Sequence, residues 1–521
     1  MLSYGIKSFD GKTGGHSLHH LILIVCAGEI SMSMKQIADW ALNTVTQRGA
    51  AYADLRIVDH RQRSLATKNG KVGHAGSTES LGIGIRVLVD NAWGFASTDD
   101  LSRAAVEKCA AQALEIARAS ARVQEQPVRL APEPAVKVEW ATPCKIDPFS
   151  TSIDQNLNLL TRIDAELLSV KGVTLAESSM QLGRYEQWFY NTDGSEIHQT
   201  RVTTGAGFCA LAFAGTEIMK RSYPNSFGGQ HQNKGYELID ELELLKNARR
   251  IGEEAVALHK ADRCPEGKMN LVLDSSQLGL QIHESIGHPI ELDRVLGYEA
   301  NFAGTSFLTL EKLRALRYGS DIVNVVADAT EQHGPGLGTF AYDDEGVQAQ
   351  CTPIISHGLF TGYISSRETA HAIGENRSNG TMRAEGWNRI PLVRMTNISI
   401  LPGEKPLTFD QLIAGTDDGI YMQTNRSWSI DDKRYNFQFG CEIAWEIKGG
   451  KLGRMLKNPS YSGITTEFWN SMDAICSRDQ WTLWGTPNCG KGQPMQTMGT
   501  GHGASPARFR GVKIGTAYKG N

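Results

Sequence analysis

The densest chemistry in the chain is His283-Glu284-Ser285-Ile286-Gly287-His288. Imidazoles bind a borderline-soft divalent ion, and a carboxylate beside that ion can take a proton from water, so the set suits a metal-dependent hydrolase. With 14 His in the chain, chance supplies roughly 0.04 such matches. The competing reading is two ordinary histidines at a helix end. In the familiar spacing, two histidines at i and i+4 lie about 40° apart on a helix, whereas i and i+5 lie about 140° apart. A regular helix cannot aim His283 and His288 at one ion. Either a π-type turn brings them together or the helix unwinds near Gly287, and Pro289 favours the second by disfavouring helical geometry at His288. Both routes predict a non-ideal helix end.

A catalytic zinc normally takes three protein ligands and keeps one position open. Glu291, Asp293 and the later cysteines are candidates for the third. Cys489 stands out in Asn488-Cys489-Gly490-Lys491-Gly492-Gln493-Pro494, where glycines allow a loop to carry a thiolate close to a metal. A further histidine, His502, follows in a glycine-rich tail. It is either an oxyanion donor or a solvent-exposed loop residue.

These residues need a scaffold. The 521 residues are 40% hydrophobic, enough for buried cores and too much for intrinsic disorder. Lys+Arg 53 against Asp+Glu 57 leaves −4, which argues against a nucleic-acid partner. Nine cysteines without a CxxC pair indicate neither a disulfide framework nor a zinc ribbon, and fit a reducing cytoplasm. The apolar run 21–27 is far shorter than the ~20 residues that cross a bilayer, so no membrane span is expected. Residues 1–31 read as an extension preceding the fold.

Residues 32–262 read as an α+β domain of two sub-blocks joined by a Pro-rich connector near 123–147. Helices are expected over 34–48, 101–119, 153–168 and 241–260, with hairpin turns at Asn69-Gly70 and Asp193-Gly194. From 263 to 521, short β-prone runs alternate with Gly/Asn/Asp turns. The fold class is therefore α+β, with hairpins and helices first and a mainly antiparallel β domain carrying the metal site.

Several segments in order resemble the TldD/PmbA metallopeptidases, specifically the TldD-type catalytic branch. They are Tyr52-Ala53-Asp54-Leu55-Arg56 through Asp99-Asp100-Leu101, the histidine motif, and Gly338-Thr339-Phe340 with Asp343-Asp344-Glu345-Gly346. Arg394-Met395-Thr396-Asn397 and the Cys489 loop complete the set. The resemblance implies a zinc peptidase in which His283, His288 and Cys489 hold the ion and Glu284 is the general base. Glu291 and Asp293 are candidate acceptors for orienting the histidines, with ordinary exposed carboxylates as the competing reading; the extension 1–31 and the extra His502 depart from the family pattern. The resemblance also implies a dimer, with a second copy or a related non-catalytic subunit, acting on unfolded peptides. The alternative is a non-catalytic, chaperone-like or gyrase-modulating subunit. Asp343, Asp344 and Glu345 themselves read as a solvated turn, and Arg394 and Asn397 as residues of the peptide path or of the β interior.

Overall fold

The computed structural model describes residues 33–516; the extension through residue 31 lies outside the described residues. The first helix, α1 (Met34–Thr46), starts where the Ser33 side chain accepts from the Gln36 amide, and it buries Ile37, Ala41 and Val45 at four-residue spacing. It is followed by β1 (Tyr52–Lys68), β2 (Lys71–Val89), β3 (Ala92–Thr98), α2 (Arg103–Ala121), β4 (Lys137–Ala141), α3 (Ile153–Ser169), β5 (Val173–Asn191) and β6 (Glu196–Ala214). Asn69 and Gly70 both have positive φ, 51° and 73°, as a two-residue hairpin turn between β1 and β2 requires.

The strand order is β3-β2-β1-β5-β6-β4. One sheet therefore runs through both expected sub-blocks, because β1 pairs with β5 along most of its length. Part of the Pro-rich connector is β4, laid parallel against β6. The outer halves of β1 and β2 are polar and half-buried to exposed, so hydrophobic alternation stops short of where the ladder continues.

The alternation of β1 decides how the halves of the molecule meet. Ala53, Leu55 and Ile57 pack with α1 and α2, while Leu65 packs with α3 and the helix Leu244–Ala257. Successive strand residues face opposite ways. Asp54 and Arg56 thus face the C-terminal half, and Arg86 Nη2 lies 2.6 Å from Asp54 Oδ2 while its Nη1 lies 3.1 Å from Glu345 Oε1.

This corrects the expectation of a solvated turn at 343–345. Asp343, Asp344 and Glu345 are 2%, 5% and 1% exposed. Asp343 accepts from the amides of Glu345, Val347 and Met382, Asp344 from that of Ala384, and Glu345 from that of Arg367. Burial and the neighbouring Glu345 push the Asp343 carboxyl well above its usual range. A run of three acids looks solvated only until its partners, supplied from distant segments, are in place.

The C-terminal half contains two larger sheets, predominantly antiparallel. One includes Gly267–Leu273, Asp418–Ile430, Asn436–Lys448 and Ala507–Thr516; the other includes Val325–Asp328, Cys351–Ser356, Asn397–Ile400, Thr482–Lys491 and Gln496–Ala504. Gly267–Leu273 runs parallel to its neighbour at 420–422, and Asn397 pairs in parallel with Gly501. The helix Ser275–Ile282 follows the first of these strands and is buried along its whole length. Its cap is Asp274, whose carboxylate accepts from the Ser276 and Gln277 amides. The C-terminal core gathers Leu278, Ile282, Ile286, Met395, Ile398 and Cys489 in one cluster.

Candidate metal centre

The helix Ser275–Ile282 passes directly into a π turn at His283–Gly287, where the His288 amide donates to the His283 carbonyl at 3.2 Å. The expected unwinding at Gly287 does not occur. His288 keeps helical angles, φ −65° and ψ −42°, despite Pro289. The widened turn brings residue i+5 back beneath residue i, and the His283 and His288 rings stand 4.9 Å apart, nearly perpendicular. A π turn disturbs the regular backbone ladder, and side chains brace this one. The Tyr318 hydroxyl donates to the Ser285 carbonyl, the Ser285 hydroxyl donates to Gln281 O at 2.6 Å, and Trp469 Nε1 donates to the Ser285 hydroxyl at 3.0 Å. Gly287 is needed for close approach: a Cβ there would lie 2.1 Å from Met395 Sδ.

Cys489 arrives from the strand Thr482–Lys491, whose register against Gln496–Ala504 shifts between Thr486 and Cys489. Such an irregularity re-aims a side chain, and here Cys489 Sγ comes to 3.8 Å from His288 Nε2. One donor atom each from His283, His288 and Cys489 lies within 4.8 Å of the other two. Donors on one tetrahedral zinc stand about 3.5 Å apart, so the nitrogen–nitrogen–sulfur set fits such an ion.

Hydrogen bonds fix which nitrogens face the centre. His502 Nδ1 lies 3.2 Å from the Ile398 carbonyl, which only accepts, so that nitrogen carries the proton. Burial first, then His283, lowers the His502 pKa well below the ordinary value, so the ring is neutral and its Nε2 is an acceptor. His283 Nδ1, 2.7 Å away, therefore donates to it, which leaves the His283 Nε2 lone pair for a metal. His288 Nδ1 likewise donates to Glu291 Oε2 at 3.1 Å, leaving its Nε2 directed at Cys489. Burial lowers the pKa of His283 and, further, of His288, keeping both in the neutral form that ligates. Burial pushes the Cys489 thiol up, but Arg394 and His288 outweigh it and leave the thiol lowered.

Glu284, 5% exposed, follows His283 in the turn and is held through Oε2 by Arg434 Nη1 at 2.5 Å. Asp293 touches neither histidine; its Oδ1 lies 2.9 Å from Lys491 Nζ. That lysine also lies 3.2 Å from Glu291 and 3.4 Å from Glu299, and it is fully buried. Sequence reasoning passed over Lys491, Arg434 and Glu299. The only hint was the position of Lys491, two residues beyond Cys489. Arg394 donates to the Cys489 carbonyl at 2.6 Å, while Asn397 is an interior bracket, donating to Asp328 O and Thr339 Oγ1.

Family models for the PmbA/TldA metallopeptidase domain 1, central domain and C-terminal domain match residues 53–117, 146–261 and 266–516. The chain belongs to the TldD/PmbA metallopeptidase family. A metalloprotease of Methanocaldococcus jannaschii is 30% identical over 87% of this chain and 95% of its own length. A zinc metalloprotease TldD homolog of Saccharolobus solfataricus is 23% identical over 82% and 89%. The chain is thus a peptidase. A Thermotoga maritima crystal structure named for modulation of a DNA gyrase superposes with a TM-score of 0.73 at 16% identity, covering 93% of this chain and all of that one. It shares the fold. No helix among the described residues is long and apolar enough to cross a membrane.

Proposed function

We propose that this TldD/PmbA metallopeptidase is a zinc enzyme that hydrolyses unfolded, extended peptides. His283, His288 and Cys489 hold the ion, and Glu284 is the general base. The observation that carries the reading is the convergence of two Nε2 lone pairs and one sulfur beside an anchored carboxylate. When bound, zinc supplies a Lewis acid for the scissile carbonyl and for the attacking water. Glu284 takes the proton from that water and returns it to the leaving amine, and Arg434 fixes the carboxylate for both transfers. His502 and Glu291 hold the two imidazoles in the ligating tautomer. A dimer, with a second copy or a related non-catalytic subunit, and a cytoplasmic location complete the reading.

The test is metal analysis together with cleavage of an unstructured peptide by wild type and Glu284→Ala. Retained metal with turnover reduced about 10²–10⁴-fold supports Glu284 as the base. Equal turnover by both proteins removes it from the mechanism, and unfolding on chelation would make the ion structural. A chaperone-like subunit would bind the peptide and leave it intact. Sizing of the purified chain, alone and with a related subunit, tests the dimer.

A further inference from the structure

A second group of ligating side chains lies on the sheet that carries His502. Asp328 ends the strand Val325–Asp328, and the antiparallel register sets Cys351 directly opposite it. His333 stands on the loop that follows, its Nδ1 2.6 Å from Asp328 Oδ2. One donor atom from each of Asp328, His333 and Cys351 lies within 4.8 Å of the other two. Tetrahedral zinc spaces its donors by about 3.5 Å, so adjustments of about 1 Å would close the set around an ion.

The carboxylate at this place has an imidazole as its ion-pair partner. Asp328 is 1% exposed. Its Oδ1 accepts from the Thr330 amide and hydroxyl, and among the described residues its Oδ2 pairs with His333. Among the described residues no lysine or arginine forms an ion pair with it. A buried carboxylate calls for a cation. His333 and Cys351 are only partly buried, which leaves a route for an ion to enter.

We propose that Asp328, His333 and Cys351 form a second divalent-cation site, distinct from the His283/His288/Cys489 centre. Carboxylate, imidazole and thiolate together suit zinc or cobalt(II) rather than magnesium or calcium. Three protein ligands leave a fourth position for water. Asp328 lies opposite Asn397, and Asn397 lies opposite Gly501, the neighbour of His502. Two strand spacings, about 10 Å, separate the ends of this row. An ion at Asp328 would brace the strands that position His502, and through it His283.

The experiment removes the first centre from the full chain with His288→Ala and Cys489→Ser, then titrates the protein with cobalt(II). The expected result is one equivalent bound with sulfur-to-cobalt charge-transfer absorption. Adding Cys351→Ser abolishes that absorption, and adding His333→Asn weakens binding at least tenfold. A folded double variant that takes up no cobalt overturns the proposal and leaves an Asp328–His333 ion pair alone. Absorption that survives Cys351→Ser overturns it equally. Zinc content of the unmodified protein gives a second reading that does not depend on the double variant folding. Two ions per chain should fall to one in Cys351→Ser, the remaining ion being the one held by His283, His288 and Cys489. One ion in both proteins refutes the second site.

Discussion

Replacing Lys491 by methionine tests how the Cys489 strand is tied to the His288 side of the centre. The ammonium sits among Asp293 at 2.9 Å, Glu291 at 3.2 Å and Glu299 at 3.4 Å. The other cation in the group is Arg294, 3.1 Å from Glu299. Three carboxylates face two cations, so the formal sum is −1; without Lys491 it becomes −2. Removing one partner of a buried ion pair costs about 3–5 kcal/mol. The lower end applies here, because burial already pushes Asp293 up to about 6, with Lys491 drawing it down and Glu291 raising it. Without the lysine, Asp293 takes up a proton at neutral pH and relieves part of the repulsion. The loss reaches the metal through Glu291, the acceptor for His288, and altering such a partner lowers metal affinity about 10–100-fold. Urea denaturation of the metal-free chain should therefore show a loss of about 3 kcal/mol, and chelator competition a weaker metal constant. Lys491→Arg keeps the charge and should lose less, through overpacking alone, toward the lower end of the ~1–3 kcal/mol such changes cost. A methionine variant within about 0.5 kcal/mol of wild type, as for an ordinary surface change, and with unaltered metal affinity, would refute the electrostatic bracing argued here.

Two further outcomes follow, one at the metal centre and one in the first sheet. His502→Ala removes the acceptor of His283 Nδ1, so metal affinity should fall about 10–100-fold by chelator competition; a fall in kcat with metal affinity intact would instead make His502 an oxyanion donor. Burial lowers the His231 pKa to about 4, against roughly 6.5 when unfolded. The unfolded chain then takes up the proton first, so stability present above 6.5 is lost as pH falls toward 4. Between pH 7 and 5 this amounts to about 2 kcal/mol. The urea midpoint should drop accordingly on acidification, and less steeply in His231→Asn; identical slopes would show that His231 is not the acid-sensitive group.

The sequence was most legible where one local rule decided the outcome. Four-residue apolar spacing located α1, and Asn69-Gly70 located the first hairpin, because neither needs information from elsewhere in the chain. The histidine motif was legible as chemistry, and its i, i+5 spacing demanded a distorted helix. Pro289 pointed toward unwinding, however, and local preference lost to bracing by Tyr318, Trp469 and the close approach of Met395 to Gly287. Residues whose roles depend on distant partners were illegible. Lys491, flanked by Gly490 and Gly492, looks solvated from sequence alone; at the end of its strand its burial follows from carboxylates at 291, 293 and 299. Asp343 to Glu345 mislead for the same reason, since Arg86, which binds Glu345, is 259 residues away in the chain. A charge is expensive inside a protein unless its counter-charge is there too. A lone acidic or basic residue is therefore read as exposed until the fold brings its partner to it. Around this centre, Arg434 and Lys491, which hold Glu284 and Glu291 in place, are of that kind.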